Sequence, residues 1–365
     1  MVNRLISAFE WAIDLSKKKF FLFCVFLAFF TVFRSGFALY GLMWRHFQNP
    51  SAGVESVDQN PIAKLQDRVL IRNFLMSYGE TIGAPKYFLA HTIFIVVCIT
   101  IIITQVSHIE IRLRLRLIFL LSLLPASAII LQRYGTHDTI CLMMCIIGVL
   151  SKSKFTAFFA AMLFTGTNPE ASFVSGLSLL LLSLASRYKQ HKEELNLPVG
   201  VLAFGFFQIL LAMPLIALDL LINNSNSTLS SIFFTDSINA LAQLLASGPL
   251  LIFSWFGPFW LILYNIFRHL NYGLINRLLM IIVFIGCGTL IASDGTRNSA
   301  LGLTSLTVCL LFSNVGLKFV EGISRTNLFG LYLIPAINIS NFNIVLPFYQ
   351  LIYVFDLGRP YIITN

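Results

Sequence analysis

Long apolar runs separated by short, mostly basic connections dominate this sequence, and they leave few folds open. Judged against the roughly 20 residues a helix needs to cross a bilayer core, about eleven runs qualify as candidate spans. They lie near residues 20–44, 87–106, 117–132, 139–151, 155–167, 171–186, 198–222, 243–266, 278–293, 299–317 and 327–350. Only 11% of the 365 residues are charged, where a soluble domain carries about 25%. That is too little polar surface to cover water-soluble domains, so a soluble enzyme is excluded. Disorder is excluded too, because 35 Phe and 11 Tyr are far from the aromatic-poor composition of unfolded chains. An all-α, polytopic integral membrane protein remains.

The formal charge of +9 would point to nucleic acid in a soluble protein, but here the basic residues alternate with the spans. With a cytoplasmic N-terminus, 16 of the 25 Lys and Arg fall on the inner side, among them Lys17, Lys18, Lys19, Arg112, Arg114, Arg116, Lys152, Lys154 and Lys318. The acids run the other way. Cytoplasmic loops hold the Lys and Arg excess in membrane proteins, so topology accounts for the charge and nucleic acid is not expected as a partner. All six cysteines lie inside apolar runs, where a thiol acts as a small apolar group. The run after Lys19 exceeds a signal peptide's apolar region and has no small-residue cleavage site, so it reads as a retained first span.

No repeat of fixed period is visible, and residues 1–365 read as one membrane domain. Its largest polar segment, 45–86, is a long extracytoplasmic loop. There Ile62, Leu65, Val69 and Met76 recur at helical spacing opposite Lys64, Asp67, Arg68 and Arg72, the pattern of an amphipathic helix lying in the interface. Three runs between 139 and 186 are short for full crossings and suit short or broken helices around a cavity.

Four polar clusters share the outer side under this topology: Glu55 and Asp58 with Asp67, Arg68 and Arg72; Arg133 through His137 and Asp138; Asn168-Pro169-Glu170; and Asp294 with Arg297. Each has a bland alternative. A charge in a short loop is usually a solvated hairpin cap, Pro169-Glu170 fits a helix start, Asp294 and Arg297 can pair in a turn, and Arg68 with Arg72 can grip headgroups. Arg34 and Asp219 lie within spans, where ionisable groups need a partner. The joint occurrence of carboxylates and Arg on one side favours chemistry on a phosphorylated lipid. A carboxylate within hydrogen-bond reach removes a proton from an acceptor hydroxyl, and basic groups hold the departing phosphate. No phosphate-binding Gly-rich loop or Ser-His-Asp order competes.

The first span entered from the cytoplasm, the long acid-bearing first outer loop and the Gly135-Thr136-His137-Asp138 element in the second resemble the C-type glycosyltransferase superfamily, mainly over residues 1–190. The resemblance implies a polytopic enzyme that takes a sugar from a polyprenyl-phosphate carrier on the extracytoplasmic side, in a bacterial inner membrane. It implies a catalytic base at Asp58 or Asp67, with Glu55 as a lesser candidate, an assisting acid at Asp138, and carrier-phosphate binding at Arg297. Arg68, Arg72, Arg133, His137, Glu170 and Asp294 complete the candidate substrate-binding set. The implied partners are a lipid-linked donor, a glycan, lipid or protein acceptor and membrane lipids, and a divalent metal is an open option. The sequence departs from the family in lacking a paired Asp-x-Asp or His-Pro-Asp-Glu element in loop one and a soluble C-terminal domain.

Two other functions use the same features. An O-antigen-polymerase-like or ligase-like enzyme joining lipid-diphosphate-linked glycans would rely on Arg68, Arg72, Arg133 and Arg297. A transporter or flippase would place ionisable groups at mid-membrane on broken helices in two related halves, whereas here they gather at span ends. Asn223-Asn224-Ser225 and Asn226-Ser227-Thr228 match the glycosylation acceptor pattern, which arises by chance in such a stretch. Asn338, Asn341 and Asn343 between Pro335 and Pro347 suggest that the last span is broken.

Overall fold

The computed structural model describes residues 27, 31–32, 34, 84–132, 138–187, 197, 200–223, 253, 257–269, 295–334, 338–340 and 343–345. These residues are overwhelmingly helical: α1 (Ala84–Gln105), α2 (Ile111–Ser122), α3 (Pro125–Gln132), α4 (Asp138–Leu150), α5 (Lys154–Thr165), α6 (Pro169–Arg187), α7 (Gly200–Asn223), α8 (Phe259–His269), α9 (Gly295–Leu311), α10 (Asn314–Gly322) and α11 (Arg325–Tyr332). The exception is an antiparallel hairpin of two three-residue strands, β1 (Asn338–Ser340) and β2 (Asn343–Val345).

Among the described residues, two helices are long and apolar enough to cross a membrane, over Lys86–Gln105 and Gly200–Ala217, or three if the bent pair α9–α10 is taken as one span. At about 1.5 Å per residue, the 22 residues of α1 match a hydrocarbon core of about 30 Å. Beside a core of buried leucines and phenylalanines, the helices α1, α5 and α6 turn large apolar side chains outward. α6 buries Ala171, Ser172, Ser175, Gly176 and Ser183 and exposes Leu177, Leu181 and Leu184. α5 buries Ala157, Ala160 and Ala161 and exposes Phe155 and Phe159, and α1 exposes Leu89, Ile93, Val96 and Val97. Contiguous exposed apolar faces are unstable against water and stable against lipid. Small residues inward are how helices associate when lipid removes the hydrophobic driving force.

Specific contacts fix the helix directions. His91 on α1 meets Thr139 on α4, Gln105 meets the Ile147 carbonyl, and His108 Nδ1 lies 3.3 Å from Lys152 Nζ just beyond α4. α1 and α4 therefore run parallel, from a His91 end to a Lys152 end. α7 starts at the Lys152 end and runs back, because a Cβ on Gly200 would meet the Gly148 carbonyl at 2.9 Å and one on Gly148 would enter the Phe204 ring. α6 is antiparallel to α7: Gly176 packs on Gly205 and Ile209, Leu179 on Gly205, and a Cβ on Gly176 would lie 2.8 Å from the Gly205 carbonyl. So α6 shares its direction with α4, and Asp138 and Pro169 start their helices at the same end. α9 ends at the opposite one. It turns into α10, whose last carbonyls, Val320 O and Glu321 O, accept from Arg116 Nη1 at 3.0 and 2.6 Å.

Two expectations need correction and a third is met. The run 117–132 is not one continuous helix: the helix begins earlier, at Ile111, and breaks at Leu123–Leu124 ahead of Pro125, which has no N–H to continue it. Arg112, Arg114 and Arg116 accordingly sit on the first turns of α2, not in a loop; Arg114 folds back onto the Ser107 and Ile109 carbonyls. The run 299–317 bends by 77° at Phe312–Ser313. Ser313 Oγ donates to Leu310 O at 2.7 Å and accepts from Gly316 N at 3.2 Å, so one hydroxyl closes α9 and caps α10. Glycine is required at 316, where a Cβ would lie 2.6 Å from Leu311 O. The run 327–350 is broken, as its Asn and Pro residues suggested: α11 stops at Tyr332 and the hairpin follows. The interface helix of 62–76, the 278–293 span and most of the first span lie outside the described residues.

Candidate functional site

α4 opens with Asp138, which is 0% exposed, and Thr139 beside it is equally covered. A buried carboxyl is costly unless hydrogen-bonded. The first turn of a helix reduces that cost, since its N–H groups lack intrahelical partners and its dipole favours negative charge. Asp138 is engaged by its surroundings, not isolated. Across from it, α1 supplies His91, whose Nε2 is 3.1 Å from Thr139 Oγ1. Tyr87, one turn earlier, stacks on that imidazole with ring centroids 6.1 Å apart and a 26° interplanar angle. Both are buried. A carboxyl, an imidazole, a phenol and a hydroxyl thus gather at the His91 end, a set able to accept and pass a proton.

Two helices bearing other candidate residues start at this end. α6 begins at Pro169, with Asn168 Oδ1 accepting from Ala171 N at 3.0 Å as the cap. Glu170 occupies its second position, as the sequence pattern of a helix start implies. α9 carries Arg297 in its first turn. The backbone directions therefore bring Asp138 and the turns holding Glu170 and Arg297 to one end of the bundle. Glu55, Asp58, Asp67, Arg68, Arg72, Arg133, His137 and Asp294 lie outside the described residues. No group of three or more His, Cys, Asp or Glu that would hold a metal occurs among the described residues.

A second polar cluster lies midway along the bundle. Ser175 Oγ is 2.6 Å from Ser305 Oγ and 3.0 Å from Gln208 Oε1, and Cys145 hydrogen-bonds to Ser305. All four residues are fully buried. The hydroxyl, amide and thiol tie α4, α6, α7 and α9 together. Gln208 Nε2 has no hydrogen-bond partner. Exchanging the amide's oxygen and nitrogen would only transfer the deficit to the oxygen. Nearby, Thr165 and Ser172 pair at 2.6 Å and close the α5–α6 turn.

Tyr87, His91 and the Ser175–Gln208–Ser305 set did not stand out in the sequence. A signal existed for two of them: a lone His and a lone Gln within apolar runs are expensive in lipid and mark a polar partner. Arg34 carries the same signal. It is buried, and its Nε donates to Ile334 O at 2.7 Å, joining the N-terminal part of the chain to the end of α11. Cys98, Cys141, Cys145 and Cys309 are buried free thiols. Comparison with family models, curated proteins and solved structures gives no match.

Proposed function

We propose that the chain is a polytopic membrane glycosyltransferase with about eleven spans, those at 117–132, 299–317 and 327–350 broken, and a cytoplasmic N-terminus. It moves a sugar from a polyprenyl-phosphate-linked donor to a glycan, lipid or protein acceptor at the extracytoplasmic face of a bacterial inner membrane. The observation supporting this reading is the buried Asp138, next in sequence to the Thr139 that meets His91, at the end where the Glu170- and Arg297-bearing helices also start. The Asp138 carboxylate takes the acceptor's hydroxyl proton as that oxygen bonds to the sugar's anomeric carbon. The bond from that carbon to the carrier phosphate breaks with its electron pair leaving on the phosphate, where Arg297 balances the charge.

The test is transfer of labelled sugar from a synthetic polyprenyl-phosphate donor by the reconstituted protein. Asp138→Asn keeps the shape and the burial, and is expected to cut the rate at least 100-fold with elution volume and thermal unfolding retained. Full activity in that variant overturns the assignment of the base. No transfer by the wild-type protein from any polyprenyl-phosphate sugar overturns the function. A transporter is the second reading, favoured by the 77° break between α9 and α10 and by the buried Arg34, since broken helices and intramembrane charges line transport sites.

A further inference from the structure

We infer that the hollow bounded by α8, α10 and α11 binds one anionic phospholipid, with its headgroup phosphate on Lys318 and an acyl chain along the apolar wall. The hollow measures about 1040 Å³ and is walled by Leu261, Ile262, Val315, Phe319, Leu331 and Ile334. Among the described residues that line it, Lys318 is the only charged one, and Asn265 and Asn327 are the only amides. The occupant's chemistry follows from that lining: a long apolar body and a head that is negative, not neutral or positive.

The bend sets the depth. With α9 along the membrane normal, a 77° turn lays α10 close to the membrane plane, where an amphipathic helix rests at headgroup level. α10 buries Val315, Gly316 and Val320 and leaves Lys318 exposed, so the ammonium stands where a phosphate would. Arg116 seals the far end of α10 by taking the Val320 and Glu321 carbonyls. It belongs to the Lys152 end of the bundle, away from Asp138. A second cation lies behind the wall, because Ile334 offers its carbonyl to Arg34. Glycine keeps the space open: a Cβ on either Gly322 or Gly330, both in the lining, would meet nothing within 4 Å. The site is distinct from the transferase reading and stands or falls without it.

Native mass spectrometry of the detergent-purified full chain tests this, with phosphatidylglycerol, phosphatidylcholine and inorganic phosphate offered separately. Phosphatidylglycerol is expected to be retained over phosphatidylcholine by about fivefold, the worth of one Lys near an anionic headgroup, with inorganic phosphate not retained. Lys318→Gln should erase that preference and leave residual binding of both lipids. Gly330→Trp should exclude both by filling the hollow, with thermal unfolding reporting that the fold persists. Equal retention of the two lipids by the wild-type protein, an unchanged preference in Lys318→Gln, or retention of inorganic phosphate alone would each overturn the proposal. The exposed position of Lys318 keeps that variant informative should Gly330→Trp fail to fold.

Discussion

The α4–α6–α7–α9 core and the α8–α10–α11 corner draw on the same apolar composition and use glycine to opposite ends. In the core, Gly148, Gly176 and Gly200 stand where a single added methyl would collide with a neighbouring segment, and one on Gly205 would press Leu179 at 3.1 Å. In the corner, Gly322 and Gly330 face open space. The first set lets backbones touch, and the second leaves a hollow. Glycine content in a membrane-type helix therefore says nothing about packing until the partner surface is known. What separates the two regions is whether a hydroxyl or amide ladder draws the helices together, as Ser175, Gln208 and Ser305 do in the core.

The largest effect expected from breaking this contrast is at Gly200. Gly200→Val must push α7 away from the Ser151 and Gly148 carbonyls, which neither can evade because both are backbone. Overpacking costs about 1–3 kcal/mol or more, enough to remove most folded protein in a detergent unfolding assay. Next is Ser175→Ala, which deletes two hydrogen bonds between helices. Such bonds contribute about 0.6 kcal/mol on average and at most about 1.7 in a bilayer, so a loss in that range is expected by steric-trap or chemical unfolding in lipid. Gly330→Ala should act with the opposite sign. It lies within α11 and meets no neighbour, so the helix gains about 0.5–1 kcal/mol, visible as a raised melting temperature. Smallest is Gln208→Leu. It removes a buried amide that already leaves Nε2 unpaired, and Ser175 keeps Ser305, so stability should change by under about 0.5 kcal/mol. A large loss there would show that the amide holds something more than Ser175.

Helix positions were legible in the sequence wherever a local rule acts. Pro169 behind Asn168 announces α6, and the short Lys152–Ser153 connection announces the α4–α5 turn. The breaks were less legible because they depend on what the chain folds back onto. Pro125 offered a local cue that the apolar run masked. Ser313 offered none until its hydroxyl is seen joining Leu310 O to Gly316 N. The site was legible only in part for the same reason. Asp138 stands out as an acid at the edge of an apolar run, but the polar groups that meet the neighbouring Thr139 come from His91 and, behind it, Tyr87, about fifty residues away on α1 and tied to it by no spacing rule. Direction is likewise a tertiary fact. The His91–Thr139, Gln105–Ile147 and His108–Lys152 contacts show that α1 and α4 run the same way.

The outward apolar face of α6 has a practical corollary for anyone handling this molecule. Leu177, Leu181 and Leu184 look outward while Ser172, Ser175 and Ser183 look inward, so the surrounding hydrocarbon acts as part of the architecture. Stripped into water, the helix would gain by rotating, hiding Leu177, Leu181 and Leu184 against another copy's leucines and releasing Ser175 from Ser305. The failure mode to expect on delipidation is thus eversion followed by clumping, not simple unravelling, and an amphiphile's tail length should matter more to survival than ionic strength.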